Sequence, residues 1–282
     1  MSAVTLAALG DIHANVPAFE ACLRAVDEAG VSTILFLGDY VSDCARPQDT
    51  MALLRACMKK YDCRFIRGNR EQYLLDYRAR GGDWRRGTGG GSLLYTYNRL
   101  SEADFAFFAS LPAVRREVFP GLPALLMCHG APDDLRGWAA ERPEDARRWL
   151  DEADAAVLLC AHTHRSLVAA LPNGMAVNVG SVGLSETAGE AQFALLSGEV
   201  GAWQAEIVRA PYDVEETIAA FSEDGFLDEA GLWPVMIEKQ LREGGDPGSP
   251  FVRRAYGLWM GEGPVPEEIW RQAARETGII GT

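Results

Sequence analysis

The chain is poor in histidine. Its 282 residues hold four, His13, His129, His162 and His164. It has six cysteines but no CxxC spacing between any of them. Cys22, Cys44, Cys57, Cys63, Cys128 and Cys160 therefore read as reduced thiols, several of them packed in apolar runs as small hydrophobes. No apolar run approaches the roughly 20 residues of a membrane-spanning helix. The opening MSAVTLAALGDIH has no basic stretch before its apolar part, so it does not read as a signal peptide, and the expected location is the cytoplasm. Positive charge is also scarce overall. A formal net charge of −13 argues against general nucleic-acid or anionic-membrane binding. Neither an internal repeat nor a low-complexity tract is evident.

The charge that is present is unevenly placed. Residues 211–282 carry 14 acidic and 6 basic residues, whereas residues 64–99 carry 8 arginines and 3 acids. A basic segment in an acidic chain is either a local anion site or a solvated helix face.

The first third alternates apolar runs with helical patterns. Val4–Leu9 and Thr33–Leu37 are strand-like, and Arg64–Arg67 leads into Gly68-Asn69. Between them, Pro17–Ala29 and Gln48–Lys60 have helical spacing, the first with Phe19, Cys22, Leu23 and Val26 on one stripe. This alternation predicts β-α-β units. A glycine-rich loop, Gly81–Gly91, precedes a short tyrosine-containing helix, and Ser101-Glu-Ala-Asp104 has the form of a capping box. The later pattern is more antiparallel. Ala124–Met127 and Ala156–Cys160 are buried-type strands, and Ser166–Leu171 and Met175–Val179 flank Asn173-Gly174 as a hairpin. Gln192–Ser197 and Trp203–Val208 form a second hairpin. Beyond Pro211 the pattern is amphipathic helix, broken at GGDPGSP and GEGPVP. The expectation is two packed sheets flanked by helices over residues 1–210, and a helical appendage over 211–282 that caps the site or forms a dimer contact.

Every histidine follows an apolar run, in LAALGDIHAN, ALLMCHG and VLLCAHTHR. Two further apolar runs end in ILFLGDY and RFIRGNR. Ligands in open α/β sheets gather at the carboxyl ends of strands, so these five ends converge on one sheet edge. The metal-capable set is Asp11, His13, Asp39, Asn69, His129, His162 and His164. With one bridging carboxylate, seven ligands make four bonds to each of two ions. Nitrogen and oxygen donors suit manganese, iron, zinc or nickel. Two divalent ions, two carboxylates and a hydroxide leave a charge of about +1, which suits an anionic phosphate.

In this order the segments resemble the calcineurin-like metallophosphoesterase superfamily, whose pattern is D-x-H, G-D, G-N-H, His-Gly and G-H-x-H. Here they read DIH, GD, GNR, HG and AHTH, and NVGS (Asn178–Ser181) resembles a closing N-P-G-S. The likeness covers residues 1–210 and looks nearest to the bacterial small phosphoesterases that include diadenosine tetraphosphate hydrolases. It implies a four-layer α-β-β-α sandwich of two mixed sheets. It also implies that Asp11, His13, Asp39 and His164 hold one metal, and Asp39, Asn69, His129 and His162 the other, with manganese or iron favoured. Arg70 stands where the family commonly has histidine. Arginine stays protonated and cannot trade a proton, but its planar fork can grip phosphate.

The resemblance implies a phosphoesterase in which the two metals acidify a bridging water that attacks phosphorus. Asp39, Asn69, Arg70 and Asn15 are its catalytic candidates. Asn15 and Arg70 would hold phosphate oxygens, and Arg67, Arg85, Arg86 and Arg99 are weaker candidates for a polyphosphate tail. Tyr73, Tyr77, Trp84, Tyr95 or Tyr97 would stack on a base, and the glycine-rich loop would be a lid. The expected partner is a small phosphorylated or nucleotide substrate, with a homodimer as a further option. Two other readings stay open: a protein phosphatase, and a non-catalytic interaction platform like the retromer scaffold subunit.

Overall fold

A computed structural model describes residues 4–199 and 201–281. The N-terminal third holds β1 (Val4–Leu9), α1 (Val16–Glu28), β2 (Thr33–Phe36), α2 (Pro47–Lys60) and β3 (Asp62–Phe65), then α3 (Asn69–Arg80), α4 (Gly91–Arg99) and α5 (Glu102–Ser110). Next come β4 (Val114–Glu117), β5 (Leu125–Cys128), α6 (Pro143–Ala153), β6 (Val157–Cys160), β7 (Leu167–Leu171), β8 (Gly174–Asn178), β9 (Glu190–Glu199) and β10 (Ala202–Pro211). The helices α7 (Val214–Glu223), α8 (Phe226–Ala230), α9 (Trp233–Glu243), α10 (Gly248–Leu258) and α11 (Glu267–Glu276) follow.

The strands form two mixed five-stranded sheets, ordered β10-β9-β1-β2-β3 and β4-β5-β6-β8-β7. Strands β1, β2 and β3 run parallel, as do β5, β6 and β8, and antiparallel partners flank each trio. Alternation along each strand builds the layers. In β1, Leu6 and Ala8 face the space between the sheets, with Leu35, Met127, Leu159 and Leu196. Ala7 and Leu9 face the other way, onto Phe19, Cys22 and Val26 of α1. Likewise Leu126, Cys128, Leu158 and Cys160 pack on Trp149 and Leu150 of α6. The result is the α-β-β-α sandwich.

Three elements lie outside the sequence-based expectation, α3, β4 and α6. Strand β4 reads VRRE and sits on a sheet edge, so it carries no apolar run. Strand β3 begins and ends two residues before the expected Arg64–Arg67. All six cysteines are free thiols. No helix among the described residues is long and apolar enough to cross a membrane.

Helices α7 to α11 bury Phe221, Phe226, Met236, Ile237, Phe251 and Trp270 in one cluster with Ala14, Cys44, Tyr95 and Leu184 from the sandwich. Ala14 and Cys44 follow β1 and β2, so this helical layer sits against the edge where those strands end. The charge asymmetry of the sequence is used here. Arg46 pairs with Asp224 at 3.3 Å, and Arg99 and Arg86 pair with Glu229 at 3.1 and 3.9 Å. Much of the basic segment therefore answers acids rather than forming an anion site. Arg80 pairs with Asp76, Arg78 with Glu102, and Arg64 with Asp62 and Glu117.

Candidate metal centre

The loops after β1, β2, β3, β5 and β6 meet at one place. Asp11, His13, Asp39, Asn69 and His129 are all buried there, with His162 and His164 at the rim. Two Asp/His groups form, Asp11–His13–His164 and Asp39–His129–His162, each with its ligand atoms within 4.8 Å of one another. Asp39 Oδ2 lies 3.4 Å from His129 Nε2 and 4.0 Å from His13 Nε2, so one carboxylate oxygen reaches both groups. Asn69 Oδ1 is 3.0 Å from His129 Nε2.

The backbone is strained where these residues sit. Asp11, His13, Asp39, His162 and His164 all have positive φ, between 52° and 67°. Such conformations cost of order 1–3 kcal/mol each, and they persist where surrounding structure over-determines them. Two glycines permit the packing. A Cβ on Gly38 would lie 2.4 Å from Gly68 N, and one on Gly68 would lie 2.3 Å from Asp39 Oδ1. Glu71 then ties the two loops together by accepting N–H bonds from Asp39, Tyr40 and Gly68 at 2.9–3.0 Å. Burial and the Asp39 charge push Glu71 up to about 7, against those three donors.

The histidines are aimed by what holds Nδ1. His129 Nδ1 lies 2.7 Å from Leu37 O and His164 Nδ1 lies 3.0 Å from Leu184 O. A carbonyl can only accept, so in both rings Nδ1 carries the proton and Nε2 offers its lone pair to the centre. His13 Nδ1 lies 2.9 Å from the Asp43 carboxylate. The AHTH turn is braced from below. Asn178 donates to Ala161 O and Thr163 Oγ1, and Ser181 Oγ donates to Asp11 O.

The donor set fits cations. Asp11 Oδ1 is buried with no hydrogen-bond donor, and the Nε2 atoms of His13, His129 and His164 all lie 3.8 Å from it. Burial raises Asp11 to about 6. Burial opposes the charge on His129, yet Asp39 pushes that ring up to about 9. His162 falls to about 4, through burial and the charge of His129. Asp39 is held below the usual carboxylate range by His129, His13 and Arg70, despite its burial. Buried carboxylates ringed by imidazole nitrogens and one amide oxygen are ligands for borderline divalent ions.

Arg70 is also at the centre. Its Nη2 is 3.0 Å from Asp43 Oδ2, its Nε is buried without a partner, and its backbone N–H donates to Asp39 Oδ1. The other substrate-binding candidates are elsewhere. Asn15 caps α1, accepts from Ala18 N and Thr217 Oγ1, and donates to Gly183 O and Tyr212 Oη. Those four bonds use its whole hydrogen-bonding capacity, which leaves nothing for a phosphate oxygen. Arg67 does not line the cavity over the metal groups. Arg85 and Arg86 line a separate cleft with Tyr256 and Trp270. The glycine-rich loop is pinned instead of free to close, since Thr88 Oγ1 donates to Glu267 and accepts from Leu232 N. Tyr77 stacks on Trp84 with centroids 4.2 Å apart, Tyr97 packs on Tyr77, and Tyr95 is buried beneath Arg99. Neither these rings nor Tyr73 line the cavity over the metal groups.

The cavity over the centre has a volume of about 720 Å³. Its floor is His13, Asp39, Asn69, Arg70, His162 and His164, and its opposite wall comes from α9 and α10, with Trp233, Met236, Val252 and Arg253. Sequence reasoning missed Asp43, Glu71, Trp138, Trp233 and Gln240 at this site. For Asp43 the available signal was an acid set among the small and apolar residues of YVSDCA, directly after Gly38-Asp39.

Comparison with known proteins agrees with this geometry. Residues 4–200 match the model of the calcineurin-like phosphoesterase superfamily domain, and the chain belongs to that family. An uncharacterised protein of Methanocaldococcus jannaschii is 23% identical over 257 residues, spanning 91% of this chain and 96% of its own length. A hypothetical protein from Pyrococcus horikoshii has a solved structure that superposes with a TM-score of 0.72 at 21% identity, over 86% of this chain and 99% of that one. A metallophosphoesterase from Sphaerobacter thermophilus superposes with a TM-score of 0.62 at 20% identity, over 86% of this chain and all of its own. These similarities span more of the chain than the family domain alone.

Proposed function

We propose that the protein hydrolyses a phosphodiester or phosphoanhydride bond in a small, nucleotide-type substrate, using two divalent ions, with manganese or iron favoured. The observation that carries this reading is the convergence of two Asp/His groups at one place, with His13, Asp39, Asn69, His162, His164 and Arg70 on the floor of one cavity and Asp11 and His129 buried among them. Asp11, His13, Asp39 and His164 would hold one ion, and Asp39, Asn69, His129 and His162 the other. When bound, the ions supply Lewis acidity toward a phosphoryl group and a water of lowered pKa.

The chain's own residues do the rest. Arg70, kept charged by Asp43 and Asp39, lines the cavity floor and offers its guanidinium to a phosphate oxygen. The Asp43 contact fixes the guanidinium, so little side-chain entropy is lost on binding. The wall of α9 and α10 limits the substrate to a small molecule, since about 720 Å³ lies in the range of small-ligand sites. Trp138 and Trp233 line this cavity, and they are the aromatic faces open to a base in place of the tyrosines of residues 73–97. Six free thiols suit a reducing compartment such as the cytoplasm. The test is turnover of a nucleotide panel with manganese, including dinucleoside polyphosphates and cyclic diesters. Hydrolysis of at least one member, lost in His164→Ala, is the expected result. A folded, metal-loaded protein inert on all of them refutes the reading.

A further inference from the structure

We infer that α9 is a working part of the first metal group. Trp233 and Gln240 are positioning residues that set how tightly Asp11, His13 and His164 hold an ion, without touching it. The inference rests on the dimetal reading above and deepens it.

Trp233 Nε1 donates to Asp43 Oδ1 at 2.8 Å. The other oxygen of that carboxylate is the one 2.9 Å from His13 Nδ1. Seven residues along the same helix, Gln240 Nε2 donates to Leu184 O at 2.8 Å. That carbonyl is the partner of His164 Nδ1 at 3.0 Å. Residues seven apart lie two turns apart on one helix face, so a single face supports both histidines. Both side chains are enclosed well enough to act as fixed supports. Gln240 is buried and Trp233 is half-buried, each also lining the cavity.

The second group has no such support. His129 Nδ1 bonds to Leu37 O, at the end of β2 inside the sandwich. Among the described residues no hydrogen bond joins α9 to Asp39, His129 or His162. Partners one step behind the ligands fix the tautomer and ring angle and raise ligand basicity, and losing one typically costs about 10–100-fold in metal affinity. The asymmetry therefore predicts two ions of unequal sensitivity to the C-terminal helices.

The test uses the full chain and manganese(II) alone as the probe. Trp233→Phe keeps the ring and removes its N–H. Gln240→Leu keeps the bulk and removes the donor. Trp233 and Gln240 stand one step further back than those partners, so calorimetric titration should show one of two binding events weakened about fivefold to tenfold by either variant, and the other unchanged within about twofold. His129→Ala and His164→Ala backgrounds assign the event. In His129→Ala the remaining site should respond to the α9 variants, and in His164→Ala it should not. Both events moving together, neither moving, or the response belonging to the second group overturns the inference. If Trp233→Phe fails to fold, Gln240→Leu carries the test alone. A wild-type chain that binds fewer than two ions refutes the dimetal reading itself, whereas two ions with insensitive variants refute only the role of α9.

Discussion

The two Asp/His groups share a chemistry and differ in what holds them. The second, Asp39–His129–His162, is braced within the sandwich by Leu37 O, the partner of His129 Nδ1. The first, Asp11–His13–His164, is braced through Asp43 and Leu184 by a helix that follows the sandwich in the chain. Both groups use strained left-handed backbone to turn side chains inward. One group is thus a property of the sheets, while the other depends on how the C-terminal helices are packed. Substrate room and metal retention are then coupled, because α9 forms the cavity wall and also supports a ligand pair.

The largest expected effect comes from the residue the two groups share. Asp39→Ala should remove the oxygen within reach of both and lower turnover about a thousandfold or more, the equivalent of several kcal/mol of Lewis-acid stabilisation. Elemental analysis should show both ions depleted, and loss of only one would break the bridging assignment. Asp43→Ala removes the oxygen beside His13 and the anchor of Arg70. It should weaken the first ion about 100-fold, at the upper end of the usual range for such partners, and spare the second. Manganese titration measures both.

Gly68→Ala should act on both groups alike, since the added Cβ would strike the Asp39 carboxylate and backbone. Overpacking of this kind costs about 1–3 kcal/mol, readable by urea denaturation. A smaller effect on the metal groups is expected from Asn15→Ala. It removes the N-cap of α1 and leaves the buried partners Gly183 O and Thr217 Oγ1 unsatisfied, so it should destabilise the fold by about 2–4 kcal/mol while leaving KM unaltered. A raised KM would restore Asn15 as a phosphate contact. Least of all, Arg85→Ala and Arg86→Ala should leave kcat/KM within about twofold, because an exposed charge in a separate cleft gives little transition-state stabilisation.

The parts of this molecule legible in the sequence are those written in local pattern. Continuous apolar runs such as LAAL and LLMC mark strands buried on both faces, and DIH, GD, GN, HG and HTH mark their ends. The rest depends on partners far apart in the chain. Trp233 meets Asp43 across 190 residues, and no pattern around either announces the contact. Arginine-rich segments carry the same uncertainty. Composition shows that Arg85 and Arg86 are basic, but only the packing of α11 shows that they face a different cleft. Asn15 is a case where the signal was present. It stands just ahead of Pro17, which the helix pattern already placed in the first turn, and that position is an N-cap.

The most direct test of the central claim, that this chain is a two-metal phosphoesterase, is manganese-dependent hydrolysis by protein whose metal content is measured on the same sample. Two ions per chain, together with turnover of a phosphodiester or phosphoanhydride that disappears in His164→Ala, is the predicted result. Two ions per chain with no turnover across monoesters, diesters and dinucleoside polyphosphates would contradict it.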